Sequence, residues 1–310
     1  KKMNNYSTFD CNTNHWLQKE KFLHDINMNI VRKNDFNGFG NRDIYINAML
    51  FAKISHGIFL PDLKWYYTPC NSESMILFVN MEWMLLTALE NIKKTNSEFN
   101  KTFIIIARDD TPMPNMKQKK YLDILNKTLK LRNNRLKFYA TNIHDKYIDQ
   151  YKSIPLGIQN THVLEKLLNT RNFTKTKRIM CCCMDRYINR INASETLNKN
   201  GILCDINMKL RLRDYYNELC MSKYVLAPRG RGRDTFRVWE ALSCKTIPIM
   251  LRSEYNDADF YKYDGLPILW VQTWNQINPH FLDSRSFNFN TSLYNKKIKP
   301  FFWKNMVIQY

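Results

Sequence analysis

The chain lacks an apolar run long enough to cross a bilayer. Its longest, Met75 to Leu89, is broken by Asn80 and Glu82 and stops short of the roughly 20 residues that a spanning helix needs. Glycine and proline are scarce, 8 and 10 among 310 residues, and no repeat of solenoid period recurs. Collagen-like, linker-like and repeat architectures are thereby excluded. The 8 cysteines do not follow a disulfide-scaffold pattern. Cys181, Cys182 and Cys183 are consecutive, and neighbours along a strand face opposite ways, which argues against one shared metal site. They read as buried strand residues in a reducing compartment. Acidic residues are also few, 28 against 47 Lys and Arg, which leaves a formal charge of +19.

That charge fits three kinds of partner: nucleic acid, an anionic membrane surface, or the phosphates of a nucleotide. Lysines such as Lys117, Lys119, Lys120, Lys127 and Lys130 are spread along the chain, as on a solvated surface, and not gathered into one tract. With 44% hydrophobic residues, 14% of the chain being aromatic, there is ample material for two packed cores.

Apolar periodicity predicts strands at Met75 to Val79, Thr102 to Ala107, Leu136 to Ala140 and Lys152 to Leu156, with helices at Trp83 to Lys94 and Lys117 to Leu131. After a break near Gly157 to Asn160, strands are expected at Arg178 to Cys183 and Ile202 to Asp205, and helices at Ala193 to Asn198 and Leu210 to Cys220. Such alternation argues for parallel sheets, hence an α/β fold with two Rossmann-like domains facing a cleft. The expected domains are 1–158 and 159–291, with 292–310 as a helix packing back toward the first.

The densest signal is KYVLAPRGRGRDTFRVWEALSCKTIPIM, Lys223 to Met250. It reads as a strand (Tyr224 to Ala227), a turn (Pro228 to Asp234), a helix (Thr235 to Cys244) and a second strand (Thr246 to Leu251). Gly230 and Gly232 allow close backbone approach, Thr235 is placed to cap the helix, and a helix N-terminus favours an anion. Arg229, Arg231, Arg233 and Arg237 crowd the same turn, and guanidinium forks match phosphate oxygens. The same RGRGR run is compatible with binding nucleic-acid phosphates, which is the alternative reading.

Pro228-Arg229-Gly230, Thr235-Phe236-Arg237 and Glu240-Ala241-Leu242, followed by Ile247-Pro248-Ile249, resemble the nucleotide-sugar domain of the exostosin-like glycosyltransferases. The resemblance continues faintly through Lys101 to Pro112, Leu136 to Asn142, Tyr151 to Asn160 and Tyr263 to Ile277. It implies a glycosyltransferase B fold and sugar transfer from a nucleotide-sugar donor, UDP-linked, to a glycan or glycoprotein acceptor. It places Arg237 near the donor diphosphate and Glu240 near the ribose; the donor-binding set expected on this basis is Arg186, Arg229, Arg231, Asp234, Thr235, Phe236, Arg237 and Glu240. Arg190 is a second candidate beside Arg186 for the neighbouring loop. An inactive nucleotide-binding relative is the remaining alternative.

Inverting transfer needs a base for the acceptor hydroxyl and a sink for the departing diphosphate. Asp109 and Asp110 follow a strand at the end where open α/β sheets place ligands, and are the expected base candidates; Glu82 is the next. His56 and His144 have no recognisable partner in the sequence. Asp257-Ala258-Asp259 spells a D-x-D, but an arginine clamp supplies the leaving group's countercharge, so no metal and no cofactor beyond the donor is expected. No glutamate stands eight positions before Glu240, with seven residues between, where Gly232 lies, and this favours inversion. Neither nucleic acid nor a membrane span is expected as a partner. The expected location is cytoplasmic, or the Golgi lumen if an N-terminal anchor precedes Lys1.

Overall fold

The computed structural model describes residues 55, 57–59, 65–67, 74–80, 82–94, 102–131, 135–182, 187–205 and 209–308. These residues form two compact units, divided between Lys152 and Ser153.

The first unit holds β1 (Gly57–Phe59), β2 (Trp65–Tyr67), β3 (Ser74–Asn80), β4 (Thr102–Arg108), β5 (Leu136–Ala140) and the first residue of β6 (Lys152–Ser153), in the sheet order β2-β1-β3-β4-β5-β6. β1, β3, β4 and β5 run parallel, and β2 is antiparallel to β1. In β4, Phe103 to Arg108 are buried without alternation, the mark of a parallel strand covered on both faces. Helix α1 (Glu82–Lys94) follows β3 and α2 (Met116–Lys130) follows β4. Met84, Leu85, Ala88, Leu89 and Ile92 make the apolar stripe of α1, and Leu122, Leu125 and Leu129 that of α2, all inside one core with Leu77, Ile105 and Phe138. Each such large side chain contributes about 1.5–3 kcal/mol by leaving water. Asn115 and Gln118 start α2 with a reciprocal capping box.

The second unit holds β7 (Lys177–Met180), β8 (Ser222–Leu226), β9 (Ile247–Leu251) and β10 (Leu269–Val271), all parallel, in the order β10-β9-β8-β7. Its helices are α3 (Thr161–Thr170), α4 (Ile188–Lys199), α5 (Leu212–Met221), α6 (Phe236–Ser243), α7 (Asp257–Tyr263), α8 (Pro279–Asp283), α9 (Ser292–Lys297) and α10 (Pro300–Ile308). Both units are therefore α/β layers on mainly parallel sheets, the class that the alternation of periods predicts.

Three expectations change in detail. The strand expected at Ile202 to Asp205 shrinks to a single parallel bridge between Cys182 and Asp205. The strand expected at Lys152 to Leu156 keeps only its first two residues. The tail 292–310, expected as one helix directed toward the first unit, forms α9 and α10, whose observed contacts are with the second. Tyr294 donates to Leu242 O at 2.8 Å, and the fully buried Trp303 meets Trp239 edge-on at 6.2 Å while donating to Lys297 O. Pro300 between the helices cannot continue α9, and the aromatic residues that gave the tail its apolar face fill the space over α6.

The bridge also fixes the topology. Register Met180↔Val225 would bring Ala227, not Asp205, opposite Cys182 on the β8 side, so Asp205 lies along the other edge of β7. The chain leaves β7 in one direction and returns on the opposite side as β8. This is the reversal at which open α/β sheets open a crevice for ligands beyond the strand ends.

Candidate functional site

Pro228, which has no N–H, follows β8 soon after Ala227 makes a last ladder bond to Ile249 O at 3.0 Å. The turn then doubles back, with Gly230 N–H donating to Gly232 O at 3.2 Å. Thr235 occupies the N-cap position of α6 in extended geometry, as its place in the sequence predicts. Its hydroxyl makes no capping bond and lies buried without a hydrogen-bond partner, so the cap is positional only.

Gly230 is the point of closest approach. A Cβ there would stand 2.8 Å from Arg190 Nη2 and 3.5 Å from a ring carbon of Tyr187, so a side chain at this position would displace the Arg190 guanidinium from the turn. Arg190, in the first turn of α4, lies over the Tyr187 ring with its guanidinium carbon 5.1 Å from the centroid. Its Nε is buried and has no hydrogen-bond partner. Burial, with the like charge of Arg237 second, lowers the Arg190 pKa to about 10, which leaves it cationic at neutral pH.

Arg237 comes from the first turn of α6 and is 9% exposed; Nη1 donates to Leu226 O at 3.2 Å. One turn on, Glu240 accepts from Tyr215 Oη at 3.0 Å and from Tyr216 Oη at 2.8 Å, one bond to each carboxylate oxygen, and also from the backbone N–H of Gln159. Burial raises the Glu240 pKa, against the pull of the two tyrosines and of Arg237. The same desolvation, with Glu240 next, pushes the Tyr215 hydroxyl well up, so it stays a donor. At the β7/β8 reversal, then, Arg190 and Arg237 lie close enough for each guanidinium to feel the other, and the Glu240 carboxylate lies beside Arg237.

The other turn residues are distributed differently. Arg229 is exposed and faces Glu254, which accepts its backbone N–H at 3.2 Å; Arg231 is exposed in the turn, and Phe236 is partly buried at the start of α6. Arg233 pairs with Asp259 at 2.6 Å. Asp234 is fully buried and accepts from Leu156 N–H (2.8 Å), Trp239 Nε1 (2.7 Å), Tyr263 Oη (2.8 Å) and Lys262 Nζ (3.3 Å). Its carboxylate is thus taken up by protein donors that brace the turn. Arg186 and His56 lie outside the described residues. Asp257 and Asp259 do not converge: the first is fully exposed, whereas the second is buried between Arg233 and Lys262.

In the first unit, Asp109 follows β4 as expected. Its Oδ2 accepts the N–H of Glu82 at 2.6 Å, which caps α1, and its Oδ1 accepts the N–H of Asp110 at 2.6 Å. Glu82 in turn takes Asn115 Nδ2 at 2.6 Å and Gln118 Nε2 at 2.9 Å, which ties the start of α1 to the start of α2. Both carboxylates hold helix ends. Asp110 is half-buried beside them. His144 opens a short 3-10 turn, its Nδ1 accepting from Lys146 N–H at 3.3 Å. Among the described residues no cluster of three or more His, Cys, Asp and Glu is arranged to hold a metal ion.

No family model and no curated protein matches the chain. Among solved structures it is similar to one described as trehalose-6-phosphate from E. coli bound with UDP-2-fluoro glucose. That similarity is 13% identity over 85% of this chain and 73% of the other, with a TM-score of 0.34, too low to support an argument. No described helix is long and apolar enough to cross a membrane.

Proposed function

We propose that the chain is a glycosyltransferase that takes a nucleoside-diphosphate sugar, UDP-linked, in the second unit and passes the sugar to a glycan or glycoprotein acceptor. The observation that supports the reading is the closeness of two guanidiniums, that of Arg190 against the Gly230 turn and that of the buried Arg237 in the first turn of α6. Guanidinium forks match the oxygens of a diphosphate, and guanidiniums already in place stabilise its charge as it leaves. Arg229 and Arg231, exposed on the same turn, extend the positive field outward. Glu240, held by Tyr215 and Tyr216, has the chemistry to accept from a ribose hydroxyl.

Transfer with inversion breaks the bond between the anomeric carbon and the diphosphate oxygen as the acceptor oxygen attacks from the opposite face. The acceptor proton passes to a carboxylate. Of the two expected bases, Asp110 is proposed, since both oxygens of Asp109 already accept backbone hydrogens. The arginine clamp makes a divalent ion unnecessary for the leaving group. Turnover of UDP-sugars in excess chelator tests this: activity is expected to persist, and a complete loss restored by manganese would replace the clamp with a metal.

A further inference from the structure

We infer that Cys220 and Cys244 are a disulfide-forming pair that cross-links the two helices behind the candidate site. Cys220 lies in the last turn of α5, and Cys244 is the C-cap residue of α6. Both are buried, and their sulfurs are 2.6 Å apart, between the bonded distance of about 2.05 Å and an ordinary contact of unbonded sulfurs. The chain on both sides is pinned. Thr246 Oγ1 donates to Leu219 O at 2.6 Å or Ser222 O at 3.1 Å, either side of Cys220, and Lys175 Nζ donates to Cys244 O at 2.9 Å and to Thr246 Oγ1 at 2.6 Å. The thiols therefore face each other because the helix ends are fixed, not by a chance choice of rotamer.

The bond ties functional walls together. α5 carries Tyr215 and Tyr216, and α6 carries Arg237 and Glu240, so one cross-link fastens the tyrosine donors to the carboxylate they hold. The hydrogen bond with Cys244, with the ammonium of Lys175 adding to it, lowers the pKa of the Cys220 thiol, while burial pushes that of Cys244 up, so Cys220 is the thiolate that attacks first. The reaction is thiol–disulfide exchange with a small-molecule or protein disulfide as oxidant. One cysteine thiolate attacks a sulfur of the oxidant and expels a thiol. The second then attacks the mixed disulfide and expels the other, so the two protein thiols are oxidised and the oxidant is reduced to two thiols. Because both sulfurs are buried once folded, the exchange takes place as the chain folds or opens locally.

The test uses the full chain refolded in a glutathione redox buffer, alkylated under denaturing conditions without reductant, and cut with trypsin. The peptides Asp214–Lys223 and Val238–Lys245 are expected as one linked species that separates on reduction. Closing a 24-residue loop predicts that reductant lowers the wild-type Tm by roughly 5 °C. Reductant should leave the Tm of Cys220→Ser unmoved. Quantitative alkylation of both peptides from the oxidised, folded protein would overturn the inference, as would a link from either one to Cys181 or Cys204. Peptide mapping of the wild type decides the matter even if Cys220→Ser does not fold, and Cys244→Ala is the second variant for the Tm comparison.

Discussion

The ends of β4 and of β8 are the same kind of place, the carboxyl end of a buried parallel strand leading into a turn and a helix, yet their charges are handled in opposite ways. After β4, the carboxylates of Asp109 and Glu82 are filled by backbone and amide donors and serve to fasten α1 to α2. After β8, Arg237 meets a second guanidinium, Arg190, with the Glu240 carboxylate one turn further along α6. Strand topology alone thus marks two positions where a ligand could be held. Local charge distinguishes the one whose carboxylates are filled by protein donors from the one where two guanidiniums lie side by side.

Within the second unit the same contrast separates neighbours in one turn. Asp234 belongs to the satisfied kind, so Asp234→Ala should have the largest effect: the fully buried Lys262 loses one of its partners, and stability should fall by about 3–5 kcal/mol in urea titration. A loss below about 1 kcal/mol would show that water reaches this network. Arg237→Ala should instead leave the fold standing and weaken UDP binding by about 2–5 kcal/mol, read by calorimetry. If affinity is unchanged while stability drops, Arg237 belongs with Asp234. Asp109→Ala sharpens the first half of the comparison. Loss of the α1 cap should cost about 0.5–2 kcal/mol of stability with donor affinity unchanged, whereas Asp110→Asn should cut turnover by about 10²–10⁴ without a comparable loss of stability.

A pH series separates Glu240 from the carboxylates of the first unit. Its folded pKa is raised, so the folded state holds the proton to higher pH than the unfolded chain does. The stability it contributes is complete below the unfolded value of about 4.3 and is lost as pH rises through the folded one. The Tm of Glu240→Gln relative to wild type should therefore climb as pH increases from about 4.3; a flat difference would mean that the site is well solvated. The smallest effect concerns Lys245, which sits just past α6 at φ +52°, a left-handed conformation usually taken by glycine. Lys245→Gly should raise stability by about 0.5–1 kcal/mol in the same titration.

Much of this was legible in the residues. The strand, turn, helix and strand of 223–251 come from periodicity and punctuation, and each is found within a residue or two of its expected ends. Which arginine does what was not legible. Arg233 is engaged by Asp259, which lies on a later helix, and Arg229 by Glu254; no spacing rule within RGRGR could separate them from Arg237. Arg190 carried a signal, an arginine just after a strand and at a helix start, but only the close fit against Gly230 distinguishes it from its neighbours. Asp234 and Thr235 show the converse: a motif of polar residues at a turn looks alike whether it holds a ligand or braces the fold. The carboxylates after β4 were ambiguous for the same reason, because a capping aspartate and a general base occupy the same position in the chain.

Calorimetric titration of UDP into wild type and Arg190→Gln at two salt concentrations tests the central claim most directly. Glutamine removes the charge and leaves a shorter polar side chain, which relieves rather than crowds the approach to Gly230, so the turn should survive. The account predicts that the wild type binds UDP, that its affinity falls with added salt, and that the variant binds about 2 kcal/mol or more weakly with a shallower salt dependence. A wild type that does not bind UDP or other nucleoside diphosphates, or a variant that matches it in affinity and salt response, would contradict the assignment of the β7/β8 reversal as a diphosphate site.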